Sequence, residues 1–259
     1  MWYNEDKNPT WEWKRMQSLL QDRRRYKYWG PTRVDKYEET LSSATLADFE
    51  RAEYMKNLVY SLQYLEFIQV QLDEMKLLTD VLRKQLYKSY IINAISIIEC
   101  IFSHLVAVRG LQKKTEWKSE GNFEATESFM ENGVEKRYVR QKQVHLHQPE
   151  NENTAFFETI NIVRENDLID LPNEKFNIMH ELRKLRNKIH LQALRHENDT
   201  DYLGIEISDF IKVRYMLYMI LTQVISNDAD KSCLDFIAPD DEEIEKYLED
   251  NHNGDENDT

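Results

Sequence analysis

The sequence is poor in the residues that mark several common protein classes. Its 259 residues include only six glycines and five prolines, which favours long helices over a turn-rich β architecture. Two cysteines, Cys100 and Cys233, are too few for a disulfide framework or a cysteine-based zinc site. The sequence has no glycine-rich phosphate loop, nucleophile elbow, paired-carboxylate metal motif or internal repeat. It therefore gives no support to a kinase, ATPase, GTPase or zinc hydrolase.

Signals for export and for membrane insertion are also missing. The chain starts with polar and acidic residues, whereas a signal peptide starts with a basic, then apolar segment. The most apolar stretch, residues 88–108, contains Asn93, Glu99 and His104, which a membrane span of marginal length would not carry. We therefore expect a soluble cytoplasmic protein without a membrane partner.

Apolar residues recur at helical spacing in most of the chain. This pattern predicts an all-α antiparallel bundle with helices over 46–82, 85–109, 154–165, a segment that begins at Leu171-Pro172-Asn173, and 208–225. Between the second and third of these, the Asn132-Gly133 turn signal predicts a small β-hairpin insertion that pairs Thr126–Met130 with Tyr138–Leu146.

The net charge of −13 is concentrated at the C-terminus. From Asp228 onward there are thirteen acidic residues and two lysines, a net charge of −11, so residues 1–227 carry only −2. We expect a disordered acidic tail over 228–259, which either keeps the protein soluble or competes with phosphate for a basic face. The predicted domains are an N-terminal extension, 1–40, a helical domain, 41–227, with an insertion at about 111–150, and this tail.

The N-terminal extension has the opposite charge. Residues 10–33 contain seven basic and two acidic residues, a net charge of +5, with Trp11, Trp13, Tyr26, Tyr28 and Trp29 among them. Basic residues among aromatics can follow a nucleic-acid backbone and stack on its bases. The alternative is a strap whose aromatic side chains pack on the bundle.

The most informative segment is residues 178–190. Ile178, Leu182, Leu185 and Ile189 form an apolar stripe on a helix, and a second, polar stripe runs beside it. The polar stripe consists of Arg183, Arg186, Asn187 and His190, at i, i+3, i+4 and i+7. Arginine binds phosphate oxygens with a planar fork of donors, and histidine titrates near neutrality. These side chains can hold a phosphodiester and move a proton without a metal.

The apolar helix of residues 88–108 adds a further signal, because Glu99 is embedded in it. An unpaired charge among apolar side chains is costly, so Glu99 needs a cationic partner. Either Arg183 or Arg186 could supply it.

These two features together resemble the HEPN superfamily. Arg183, polar Lys184 and His190 match its Arg-polar-(four to six residues)-His signature, with six residues between Arg and His. Arg186-Asn187 looks like the Arg-Asn of the family, although only three residues separate Arg186 from His190. HEPN domains commonly carry a similar apolar helix with one glutamate upstream. The resemblance covers about residues 46–226 and implies a HEPN-type helical bundle.

The resemblance implies a metal-independent endoribonuclease that needs no cofactor. His190 would be the general acid or base, Arg183 and Arg186 would contact phosphate, Asn187 would position it, and Glu99 would hold an arginine. The resemblance also implies a homodimer acting as a toxin or antiviral defence effector on RNA, with an antitoxin or another defence-system protein as a partner. The alternatives are a non-catalytic HEPN-like scaffold that binds a protein partner, and nucleic-acid binding through the N-terminal segment without cleavage.

Overall fold

The computed structural model describes residues 31–42, 52–74, 79–152, 154–188 and 204–239. The described residues are mostly helical, as predicted, with one antiparallel β-hairpin. The helices are α1 (Val34–Ser42), α2 (Ala52–Glu74), α3 (Asp80–Val108), α4 (Phe156–Glu165), α5 (Asn173–Lys188) and α6 (Ile207–Val224), followed by a 3₁₀ helix (Ser232–Ile237). The hairpin strands are β1 (Lys114–Glu131) and β2 (Val134–Asn151).

Helix α3 is the centre of the bundle and packs against α2, α4, α5 and α6. Its buried residues fall within one half of the helix circumference, at about 100° per residue. They are Tyr87, Tyr90, Ile91, Ala94, Ile95, Ile97, Ile98, Ile101, Phe102, Leu105 and Val106. By length and composition α3 could also cross a membrane, and among the described helices it alone passes that test. Its packing against four other helices accounts for its apolar character as that of a core helix.

The two helices predicted over 46–82 and 85–109 are both present, but the predicted boundary between them is wrong. Helix α2 ends at Glu74, and α3 already begins at Asp80, five residues before its predicted start. Thr79 lies between them in an extended conformation, and its side chain accepts a hydrogen bond from the Leu82 N–H. A threonine in this position satisfies one of the free N–H groups at a helix start. The apolar spacing continues through the break, so periodicity alone did not reveal it.

The hairpin is confirmed in kind but is much longer than predicted. Each strand has 18 residues, from Lys114 to Glu131 and from Val134 to Asn151, whereas the prediction covered only Thr126–Met130 and Tyr138–Leu146. Thr126–Met130 pairs with residues 135–139, so the predicted pairing with Tyr138–Leu146 is mostly wrong. Asn132 and Gly133 both have positive φ, 54° and 76°, as a tight two-residue hairpin turn requires. Among the described elements, the strands pack only against each other, so the hairpin projects from the bundle.

Both predicted boundaries of the helical domain need correction. Tyr37 and Leu41 of α1 are buried in the core, so the packed domain begins before residue 41. Glu66 of α2 fixes this segment by accepting hydrogen bonds from the Thr32 N–H, at 2.9 Å, and the Tyr37 hydroxyl, at 3.1 Å. At the other end, Cys233 of the 3₁₀ helix is buried, as are Leu234 and Ile237, so the packed chain extends beyond residue 227.

The remaining predicted helices lie close to their expected positions. Helix α4 covers most of 154–165, α5 begins at Asn173, directly after Pro172, and α6 is shifted by one residue from 208–225. Proline before the first turn suits a helix start, because that position needs no N–H donor inside the helix. Helix α5 contacts α3, α4 and α6. It therefore places Arg183 and Arg186, both partly buried, beside α3 and α4.

Candidate functional site

Helix α5 turns a slightly different apolar face to the core than its sequence indicated. Leu182 is buried, as expected, whereas Ile178 and Leu185 are only partly buried against the core. Phe176 and Met179 take the central positions instead. The polar residues of α5 are set relative to this face, so its direction decides which neighbouring helix each of them meets.

The glutamate embedded in α3 pairs with Arg186. The Arg186 Nη1 donates a hydrogen bond to Glu99 Oε2 at 2.6 Å, and the two side chains are 27% and 31% exposed. The predicted partner was either Arg183 or Arg186, and the structure selects Arg186. A charge-assisted hydrogen bond of this length at a partly buried site is stronger than an exposed ion pair. Arg186 is thus held against α3 by an acid 87 residues away in sequence.

Arg183 has a different environment. Its guanidinium carbon lies 5.2 Å from the centre of the Phe157 ring on α4, which is cation–π geometry. Its Nε is buried and has no hydrogen-bond partner. In the described parts of the chain, no carboxylate lies within ion-pair distance of Arg183. Among the described residues, the positive charge of Arg183 thus has no acidic partner, unlike that of Arg186.

His180 joins this group, and the sequence reasoning missed it. Its ring centroid lies 5.0 Å from that of Phe157, and its Nδ1 is buried without a hydrogen-bond partner. Burial lowers the pKa of His180, and the nearby charges of Arg183, Arg164 and Lys184 lower it further. The spacing could have revealed this residue, because His180 lies three residues before Arg183 and seven before Asn187, on the same side of the helix.

The two remaining predicted site residues are Asn187 and His190. Asn187 is exposed, so its amide is accessible to a ligand. His190 follows the last residue of α5 by two positions and lies outside the described residues. The structure thus brings Glu99 and Arg186 into contact and places Arg183 and Asn187 on the same helix.

Among the described residues, neither a reactive thiol nor a metal site is indicated near α5. Cys100 follows Glu99 in α3, and its pKa is raised by burial first and by the charge of Glu99 second, so the thiol stays protonated near neutral pH. Among the described residues, no three His, Cys, Asp or Glu side chains are grouped so that they could hold a metal ion. The basic and aromatic side chains of α4 and α5 are therefore the best candidates for chemistry.

Comparison with known proteins found no relative of this chain. No family model, curated protein or solved structure matches the chain. The resemblance to HEPN domains therefore depends on the sequence motif of residues 183–190 and on Glu99 alone.

Proposed function

We propose that the protein is a metal-independent endoribonuclease of the HEPN type. One observation carries the proposal: of the two arginines three residues apart on α5, Arg186 is neutralised by Glu99, and Arg183 meets no carboxylate among the described residues. A partly buried arginine without an acidic partner lowers the stability of the fold, unless a bound anion compensates its charge. The phosphodiester of RNA is such an anion.

The reaction would be an intramolecular transesterification. The ribose 2′-oxygen loses its proton and bonds to the adjacent phosphorus, the bond from phosphorus to the 5′-oxygen breaks, and that oxygen takes up a proton. The products are a 2′,3′-cyclic phosphate and a free 5′-hydroxyl. His190 would transfer one of these protons, since a group that titrates near pH 7 suits both directions of transfer.

The other residues would stabilise and orient the phosphate. Arg183 would face the charge that develops on the non-bridging oxygens, where fixed donors contribute most. The exposed amide of Asn187 would hold a phosphate oxygen or orient the imidazole of His190. Glu99 is a positioning residue in this scheme, because it holds the guanidinium of Arg186 against α3.

A second copy of the chain is part of the proposal. Two protons move at opposite oxygens, and one histidine cannot easily serve both, so we expect a homodimer in which two Arg/His faces meet. RNA is the substrate, and a cytoplasmic toxin or antiviral effector is the proposed role. A protein such as an antitoxin is the proposed regulator.

A non-catalytic binding module is the second candidate, and the Glu99–Arg186 contact favours it to some extent. Partly buried ion pairs also occur where a fold simply needs to compensate a charge. In that case α5 is a structural helix, and the projecting hairpin offers the larger surface to a protein partner. The two candidates differ in whether His190 matters for any reaction.

The test is RNA cleavage in EDTA by the wild type and by His190→Ala. Loss of one general acid or base costs about 10²–10⁴ in rate, so cleavage should fall by that factor while the thermal unfolding midpoint is unchanged. His147→Ala is the matched control, because His147 is exposed on the hairpin, which contacts no described helix. Full activity of His190→Ala, or a requirement for magnesium, would contradict the mechanism.

A further inference from the structure

The surface between α4 and α5 carries a basic and aromatic cluster beyond the predicted motif. Phe157, Asn161 and Arg164 recur at i, i+4 and i+7, so they lie on one side of α4. Phe157 on that side contacts His180 and Arg183 of α5. Arg164 donates a hydrogen bond from Nη2 to Asn161 Oδ1 at 3.4 Å and lies close enough to His180 to influence its titration. We call Phe157, Arg164, His180 and Arg183 the α4–α5 cluster.

Positive charge dominates this cluster. Arg183 and Lys184 from α5 and Arg164 from α4 all lower the pKa of His180, and no carboxylate is among the causes of the shift. Glu158, the acidic residue nearest Phe157 in sequence, forms an ion pair with Lys113 at 3.0 Å. Neighbouring cations repel one another, and an anion bound between them removes that repulsion. The cluster therefore favours an anionic ligand.

The chemistry of the side chains narrows the ligand class. Guanidinium forks match phosphate oxygens, and the one hydrogen bond that Arg164 makes within the described residues goes to a neutral amide. Phe157 is 46% exposed, which leaves part of its ring open to a flat ligand group. Each nucleotide of a single-stranded nucleic acid presents a phosphate and a flat base. Proteins bind such a strand by stacking its bases on exposed aromatic side chains and by placing cations along its backbone.

We propose that the α4–α5 cluster is a subsite for a phosphate and base of single-stranded RNA next to the cleaved bond. Arg164 and His180 bind a neighbouring phosphate, Phe157 supports a base, and Arg183 is the member of the cluster that also binds the reacting phosphate. The inference takes its ligand from the proposed function, because RNA is the substrate proposed there. It adds residues outside the predicted motif and assigns them to binding and specificity.

The experiment measures binding of a fluorescent single-stranded RNA that carries 2′-O-methyl groups and cannot react. Arg164→Gln, made in the full chain, should weaken binding about tenfold, the effect expected when a charge-assisted contact to phosphate is lost. His180→Gln should weaken binding less, because the lowered pKa of His180 leaves its imidazole mostly neutral near pH 7. The slope of log affinity against log salt should become shallower by about 0.7 for the arginine variant. Arg137→Gln, on the exposed part of the hairpin, is the matched control.

Two additions to this experiment distinguish a loss of RNA binding from a loss of folding. Thermal unfolding is measured for every variant, and Arg164→Lys keeps the charge without the fork, so it should bind better than Arg164→Gln. Equal affinity and salt slope for Arg164→Gln and Arg137→Gln would overturn the subsite even if RNA is still cleaved. Binding that depends on Arg164 and His180 without cleavage of unmodified RNA would instead keep the subsite and reject the nuclease.

Discussion

The contact between Glu99 and Arg186 allows the two arginines of α5 to be separated by experiment. Arg186→Met removes the 2.6 Å hydrogen bond and leaves the Glu99 carboxylate, 31% exposed, beside apolar neighbours of α3. Hydrogen bonds to charged groups are worth about 1.5–3 kcal/mol. Exposed pairs contribute ~0–1 kcal/mol, and breaking fully buried ones costs ~3–5 kcal/mol. A pair of intermediate burial should therefore cost about 2 kcal/mol.

Arg183→Met is the internal comparison. Arg183 meets no acid among the described residues, and its visible contact is the cation–π geometry with Phe157. That contact is worth about 0.5–1 kcal/mol, so this variant should lose less stability than Arg186→Met. Its cleavage rate should nevertheless fall strongly, because Arg183 is the proposed phosphate ligand. Arg186→Met should thus mainly lower the stability, and Arg183→Met should mainly lower the cleavage rate.

The assay is urea unfolding of both variants with and without Glu99→Gln. In the Arg186→Met background, Glu99→Gln should recover part of the lost stability, because it removes the stranded charge. The resulting coupling energy between positions 99 and 186 should be about 1–2 kcal/mol, and that between 99 and 183 close to zero. A larger coupling for the 99–183 pair, or a larger loss of stability in Arg183→Met, would refute the assignment of the two arginines.

Two further predictions concern assembly and the C-terminal tail. Purified protein should sediment as a dimer or larger assembly at micromolar concentration, because the proposed site needs two Arg/His faces; a fully active monomer would rule out the shared site. If the strongly acidic segment 239–259 competes with phosphate for basic side chains, its removal should tighten RNA binding and steepen the salt dependence of that binding. Unchanged affinity at low salt would leave the tail a solubilising role only.

Helical periodicity predicted the bundle because its signal comes from many residues at once. Helices α4, α5 and α6 were found within a few residues, since each buries one stripe against α3 or its neighbours. The end of α2 and the start of α3 were missed for a local reason. A helix can end while its apolar spacing continues, and the feature that decides the new start is a single threonine, Thr79, whose side chain caps the first turn.

The hairpin was underestimated because its stability does not come from a buried face. Its strands carry charges that pair across the ladder, among them Lys118 with Glu150 and Lys142 with Glu120. Two bulges, between Thr115 and Trp117 and between Ser119 and Glu124, interrupt the alternation further. A strand without a regular apolar face gives almost no period-two signal, so only the turn and the residues beside it could be recognised.

Part of the candidate site was predicted from the sequence. The residues that were missed are those brought together only by the packing of α4 against α5. Residues at helical spacing on α5 could be grouped from the sequence, and a glutamate in an apolar helix required some cation. Phe157 and Arg164 could not be added, because they approach His180 and Arg183 only when α4 packs against α5. His190, the proposed proton donor or acceptor, lies outside the described residues and stays a prediction.

The direction of the buried face of α5 explains why Arg186 meets α3 while Arg183 and His180 meet α4. Residues three apart on a helix differ by about 300°, which equals a step of about 60° in the opposite direction. With Arg186 fixed against α3, Arg183 lies one such step round α5 and contacts Phe157 of α4. His180 lies a second step round and contacts the same ring. Phe176, Met179 and Leu182, buried in the core, thus set the rotation of α5, and that rotation turns Arg183 and His180 toward α4 and forms the basic cluster there.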